Sequence, residues 1–229
     1  MLGRDTASLI PTDAIISCTP APRYVASPAK PAFPWIGVRT RFARGQEVFS
    51  EGDRAEAVYL VVSGAVRTYR VLNGGRRQIC DFLLPGDMQG LEASPHHRLS
   101  AESIGASVLL VASRKSHAQL VGANPKVAEQ MLDIAVRSLR RTQDHMLILG
   151  RQSARERVCA FLLDLAERLT EAGEVELPMS RQDIADYLGM TVETVSRTFT
   201  QLQGAGWIRL VSLRRVALTN RAALARACG

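Results

Sequence analysis

Lysine is nearly missing from this sequence. Of its 29 basic residues only Lys30, Lys115 and Lys126 are lysines, and the rest are arginines. Cysteine is scarce too. Cys18, Cys80, Cys159 and Cys228 are too scattered to compose a disulfide framework or a zinc-ligand spacing, and they fit a reduced, cytoplasmic chain with no metal. No run of about 18 apolar residues is present to cross a membrane. The first residues carry Asp5 and no long apolar centre, so they do not read as a secretory signal. No Ser-His-Asp set, paired carboxylates or phosphate-cradling glycine loop stands out, and no enzyme is expected. One stretch lacks acids altogether: from Arg197 to Gly229 there are six arginines and no Asp or Glu. That tail suits a polyanion, and arginine is the residue best shaped for bidentate contact with phosphate and base edges.

What is present falls into four segments. Residues 1–35 hold six of the ten prolines and read as a poorly ordered arm. Over 36–122, short apolar runs recur between glycine-marked turns. "VYLVVSG" and "AVRTYRV" read as two strands joined at Ser63-Gly64, and "NGG" at 73–75 reads as a hairpin turn. So many short strands point to a barrel or sandwich. Over 123–150 the apolar spacing changes to three and four, with Pro125 at a first helical position. A helix from Pro125 to Leu149 would be roughly 37 Å long. Its apolar face would pack on the barrel or form a dimer seam. Its length favours the seam, with Met131, Ala135, Leu139 and Met146 on the shared face.

The last segment, 151–229, opens with a helix capped by Ser153 and Glu156, with Val158, Phe161, Leu162, Leu165 and Leu169 as its buried stripe. The stretch "SRQDIADYLGMTVETVSRTFTQLQGAGWI" then reads as two helices around a tight turn. Ser180 and Asp183 make a capping box, Gly189 ends the first helix, and Thr191 caps the second. At about 100° per residue, Glu193, Ser196, Arg197 and Thr200 share one side of the second helix, and Val195, Phe199 and Leu202 the other. One stripe is anchored and the opposite one is offered to a groove. Arg197 can donate to guanine O6 and N7, Glu193 can accept from cytosine N4, and Ser196 can do either or admit a thymine methyl. A Glu–Arg pair four apart is common on any helix. The complete pattern of cap, glycine turn and following short strands ("WIRLVSLRRVALT", a wing) is the specific signal. Ser180, Arg181, Gln182, Thr191, Thr194 and Thr200 are the residues expected to support the helices or touch the DNA backbone.

At these residues the chain resembles the cyclic-AMP-receptor/FNR superfamily of transcription regulators, over about residues 36–226. "RQDIADYLGMTVETVSRTF" is most similar to the FixK branch. The resemblance implies an α+β architecture: a β-roll (double-stranded β-helix), a long dimerisation helix and a winged helix–turn–helix. It also implies a homodimer on palindromes of the type TTGAT-N4-ATCAA, contact with RNA polymerase, mainly activation, and an oxygen-responsive circuit in nitrogen fixation or respiration. Val192 stands where cyclic-AMP receptors carry a further arginine, which favours FNR-type sites. Two departures imply that no cofactor is used. Only Cys18 stands where iron–sulfur members cluster cysteines. In the cyclic-nucleotide pocket Glu92 is displaced and Leu99 replaces the arginine before Ser100, while Arg98 would face away. Ser180 also stands where some FixK relatives carry a cysteine. A ligand-gated relative binding heme, nitric oxide or a metabolite in the roll is the alternative. His96 and His97 are expected on a surface loop, within "GDMQGLEASPHHR", which the resemblance makes an exposed polymerase- or signal-contact loop. Cys80 is expected in or near the core, Cys159 in packing, and Cys228 as an exposed thiol.

Overall fold

The structure, a computed structural model, describes residues 36–151, 153–169 and 174–228. The arm, Cys18 and residues 170–173 lie outside the described residues. Eight strands come first: β1 (Val38–Phe42), β2 (Glu47–Phe49), β3 (Ala57–Ser63), β4 (Val66–Val71), β5 (Arg77–Leu83), β6 (Met88–Gln89), β7 (Ser100–Ser103) and β8 (Ser107–Ser113). They form two antiparallel sheets, ordered β1-β8-β3-β6 and β2-β7-β4-β5. Phe42, Phe49, Val61, Val66, Leu83, Ala101 and Leu109 fill the space between them. β3 and β4 follow one another in the chain but lie in different sheets, so Ser63-Gly64 is a crossover and not a hairpin. Gly64 has φ +83°, and a Cβ there would lie 2.7 Å from the Ala106 carbonyl oxygen. Only glycine fits. The expected hairpin is β4–β5, paired from Val71↔Arg77 onward, with Gly74 and Gly75 at positive φ.

A helix that the sequence pattern does not announce, α1 (Arg114–Ala123), follows β8 and is capped by Ser113. Then α2 runs from Pro125 to Leu149, with the Asn124 side chain accepting from the amides of Lys126 and Val127. Val127 and Met131 bury against Val58, Leu60 and Met88 of the roll. This corrects the expected seam. Met131 is only 7% exposed and belongs to its own chain's core, whereas Leu132 (64%), Leu139 (58%), Met146 (67%) and Leu147 (68%) face outward. Ala135 is exposed with them and Val136 is at 40%. The apolar stripe is broad enough to serve two surfaces, and the roll takes the half centred on Val127 and Met131.

The remaining elements are α3 (Ala154–Leu169), β9 (Glu174–Glu176), α4 (Arg181–Leu188), α5 (Val192–Gly204), β10 (Arg209–Ser212), β11 (Arg215–Ala217) and α6 (Arg221–Ala227). Ser153 caps α3, accepting from the Glu156 amide at 3.2 Å. α3 is buried on more than the expected stripe, because Cys159, Ala160 and Ala166 are buried with Val158, Phe161, Leu162 and Leu165, while Leu169 is half-buried. The wing is a three-stranded sheet, β10-β11-β9. The α+β architecture is therefore a β-roll, a long helix and a winged helix–turn–helix.

The two ends of the molecule share one apolar cluster. Ile79, Phe82 and Leu84 of the roll pack with Phe161, Leu165 and Tyr187, and the Phe82 ring lies 5.0 Å from that of Tyr187. Two small expectations change here. Cys228 is half-buried, its thiol donating to the Leu224 carbonyl at 3.2 Å. His97 is buried and stacks on Phe49 at 3.8 Å, with Nδ1 3.3 Å from Glu92 Oε1. Only His96 of the pair is exposed. Met88 is buried too, and Arg114 ties this loop down by donating to the carbonyls of Glu92, Ser94 and Ala55, so the segment is an anchored one rather than a freely exposed loop.

Candidate nucleic-acid interface

The helix pair is built by its caps. Ser180 Oγ accepts from the Asp183 amide at 3.1 Å, and the Asp183 carboxylate accepts from the Ser180 amide at 3.0 Å. Losing such a box costs about 1 kcal/mol. Gly189 ends α4 in the left-handed region at φ 64° and ψ 39°, which is cheapest for glycine. Thr191 Oγ1 then accepts from the Thr194 amide at 3.2 Å and starts α5.

α5 carries the two stripes that its sequence predicts. Val195, Phe199 and Leu202 are buried. Glu193, Ser196, Arg197 and Thr200 are exposed on the other side. Glu193 lies in the first turn, where its bond to its own backbone amide, and then one to the Thr191 side chain, hold its carboxyl below the ordinary carboxylate range. It is thus an anionic acceptor at neutral pH. Arg197 stands four residues on, exposed on the same side as Glu193, and its guanidinium carries five N–H donors suited to a base edge. Thr198, a polar residue that the sequence pattern assigns to neither stripe, is buried and donates to the Thr194 carbonyl at 2.8 Å.

The supporting residues divide by what they touch. Ser180, Thr191 and Thr194 are occupied by the caps. Thr200 donates to the Ser196 carbonyl at 3.2 Å. Gln182 is exposed and donates to Asp186 Oδ1 at 2.8 Å. Arg181 sits with its guanidinium 3.5 Å from the centre of the Phe199 ring, binding α4 to α5. Burial draws it down to about 10, so it remains charged at neutral pH. Around this surface the wing presents Arg209, Arg214 and Arg215, all exposed.

A set of contacts invisible to local patterns fixes α4 to the roll. Arg67 Nη1 lies 2.9 Å and Arg77 Nη2 2.7 Å from Asp183 Oδ1, and Arg77 Nε donates to Asp186 Oδ2 at 2.9 Å. Gln78 Nε2 donates to the Asp186 carbonyl at 2.8 Å, and His145 Nε2 on α2 lies 2.8 Å from the Tyr187 carbonyl. Among the described residues, no three His, Cys, Asp or Glu side chains gather as metal ligands. Arg98 is exposed, with Leu99 and Ser100 half-buried beside it.

The comparisons agree with this geometry. The cyclic nucleotide-binding domain family matches residues 39–124, and the Crp-like helix-turn-helix domain family matches residues 156–227. The chain is 46% identical over 196 residues to the nitrogen fixation regulation protein FixK of Azorhizobium caulinodans, spanning 83% of this chain and 79% of that one. It is 39% identical over 216 residues to FixK of Rhizobium meliloti, spanning 90% and 99%. The structure of FixK2 from Bradyrhizobium japonicum superposes with a TM-score of 0.80 at 43% identity, over 85% of this chain and 98% of that one. A β-roll, a long helix, a capped helix–turn–helix with an exposed polar stripe, and these relatives together place the chain in the CRP/FNR family of DNA-binding transcription regulators, in its FixK branch, and not among enzymes.

Proposed function

We propose that the chain acts as a homodimer on FNR/FixK-type palindromes, TTGAT-N4-ATCAA, mainly as an activator that contacts RNA polymerase, in the cytoplasm and without a small-molecule effector. The observation that carries this reading is α5: one stripe anchored in the core, the opposite stripe exposing Glu193, Ser196 and Arg197. A palindrome needs a two-fold protein, and α2 supplies a face for one. Leu132, Val136, Leu139 and Met146 recur at four, three and seven residues, a heptad-like row left open to solvent. The names of the FixK relatives support a role in regulating nitrogen fixation, and the proposal sets that role within an oxygen-responsive circuit. The effector-free reading is supported by Arg98, whose charge is turned out to solvent instead of into the roll.

Fluorescence anisotropy of a labelled palindrome against a scrambled duplex, in air, without effector and at one fixed salt concentration, tests this. Tight binding to the palindrome alone is the expected result. Equal weak binding to both duplexes would move the ligand-gated reading ahead, and a visible spectrum of the purified protein would then report a heme or an iron–sulfur cluster.

A further inference from the structure

We infer that Arg67 and Arg77 of the roll, gripping Asp183 and Asp186 of α4, form a clasp that holds the helix–turn–helix in its DNA-reading orientation. The inference rests on the DNA-binding function proposed above. The clasp is a chain of alternating charge: Glu102 on β7, Arg67 on β4, Asp183 on α4, Arg77 on β5 and Asp186 on α4, with successive N–O separations of 2.6, 2.9, 2.7 and 2.8 Å. Its carboxylates are largely withdrawn from water, Asp183 at 4% side-chain exposure and Asp186 at 11%. Removing one partner from such a set leaves a buried charge without its counterion, so the penalty for opening it is steep.

The location gives the clasp its role. Phe82 and Tyr187 already bring the domains together, but an apolar contact tolerates sliding and rotation. The ion pairs have defined donor and acceptor directions and fix which turn of α4 meets β4 and β5. Asp183 is also half of the capping box that starts α4, so one carboxylate serves both the helix end and its seat on the roll. The sense of the device follows from what the clasped form leaves open. Glu193, Ser196, Arg197 and Thr200 are exposed, and so are Leu132, Leu139 and Met146 on α2. An inhibitory contact that acts by occlusion would cover one of these surfaces. This one covers neither, and fixed charge does the orienting that a ligand-gated regulator would assign to its effector.

Arg77 also lines a cleft of about 200 Å³ together with Gln182 and Arg214, so a direct phosphate contact is the competing role. The test uses the full chain with Arg77→Ala, Arg77→Lys, Asp186→Ala and the Arg77→Ala/Asp186→Ala pair. Affinity for the palindrome is measured across a salt series, and hydrogen exchange of the α4 amides is measured without DNA. Arg77→Ala should weaken specific binding about tenfold, equivalent to ~1.4 kcal/mol, with the salt slope unchanged and α4 exchange accelerated. Arg77→Lys should recover only part of the loss, because one ammonium cannot reproduce the fork that reaches both Asp183 and Asp186, and the double variant should be no worse than Arg77→Ala alone. Unchanged or tighter binding by Arg77→Ala, or unchanged exchange in α4, would overturn the clasp. So would a salt slope lowered by about 0.9 per protomer, the mark of a lost phosphate contact. If the unaltered protein does not prefer the palindrome, the proposed function fails, and the exchange measurement still decides the clasp.

Discussion

α2 and α5 are built alike and finished differently. Each begins at a capping side chain, Asn124 or Thr191, and each buries one stripe in its own chain. The stripes left over differ in chemistry. On α2 it is apolar, with Leu132, Val136, Leu139, Met146 and Leu147. On α5 it is polar, with Glu193, Ser196, Arg197 and Thr200. A row of exposed leucines and a methionine loses free energy only by meeting another apolar surface. A row of donors and acceptors in fixed directions is suited to a patterned polar surface such as a base edge. The partner of each helix is thus legible from its outward stripe, while the inward stripe reports only where the helix sits.

The strongest way to break the comparison is on the inward side. Phe199→Ala should destabilise the winged domain by about 3–5 kcal/mol, because it empties a fully buried site and removes the ring on which Arg181 rests. Chemical denaturation followed by circular dichroism measures it. Next come the two sides of α2. Met131→Ala should lower stability by about 2–5 kcal/mol and leave the association state untouched, whereas Leu139→Glu should leave stability nearly unchanged and shift the protein from dimer to monomer in sedimentation velocity. Equal effects of the two would mean that the division of the stripe described above is wrong. Ser180→Ala should cost about 1 kcal/mol of the winged domain's stability.

The smallest effect is chemical. Burial pushes the Cys159 thiol up to about 12, so at neutral pH it stays protonated and poorly nucleophilic. Alkylation at about pH 8 should label Cys159 only after unfolding. Because its folded value lies above the ordinary 9.0, its contribution to stability is complete below about pH 9 and is lost as pH rises toward about 12.

Much of this was readable in the sequence, for local reasons. The bounds of α2 follow from Asn124-Pro125 and a sustained three–four spacing, and α4 announces itself through Ser180, Asp183 and Gly189. The exposed stripe of α5 needs only helical geometry. What stayed hidden depends on partners distant in the chain. Met131 and Leu132 are adjacent members of one broad apolar stripe, and only the position of Val58, Leu60 and Met88 decides which of them is covered. His97 looked like half of a polar surface pair, but Phe49 provides a ring for it to stack on. Arg67 and Asp183 are 116 residues apart, and nothing local marks either as the other's partner. α1 is short and carries a mixed pattern that ends in Gly122-Ala123, too weak a periodicity to stand out.

The most direct measurement compares the unaltered protein and Arg197→Ala on a set of duplexes in which each base pair of one TTGAT half-site is changed in turn. If α5 reads the groove through Arg197, the unaltered protein loses about 1–3 kcal/mol at the G·C pair and Arg197→Ala loses its discrimination there alone. A uniform drop in affinity at every position, with the preference for G·C intact, would contradict base reading by Arg197 and leave it a backbone contact.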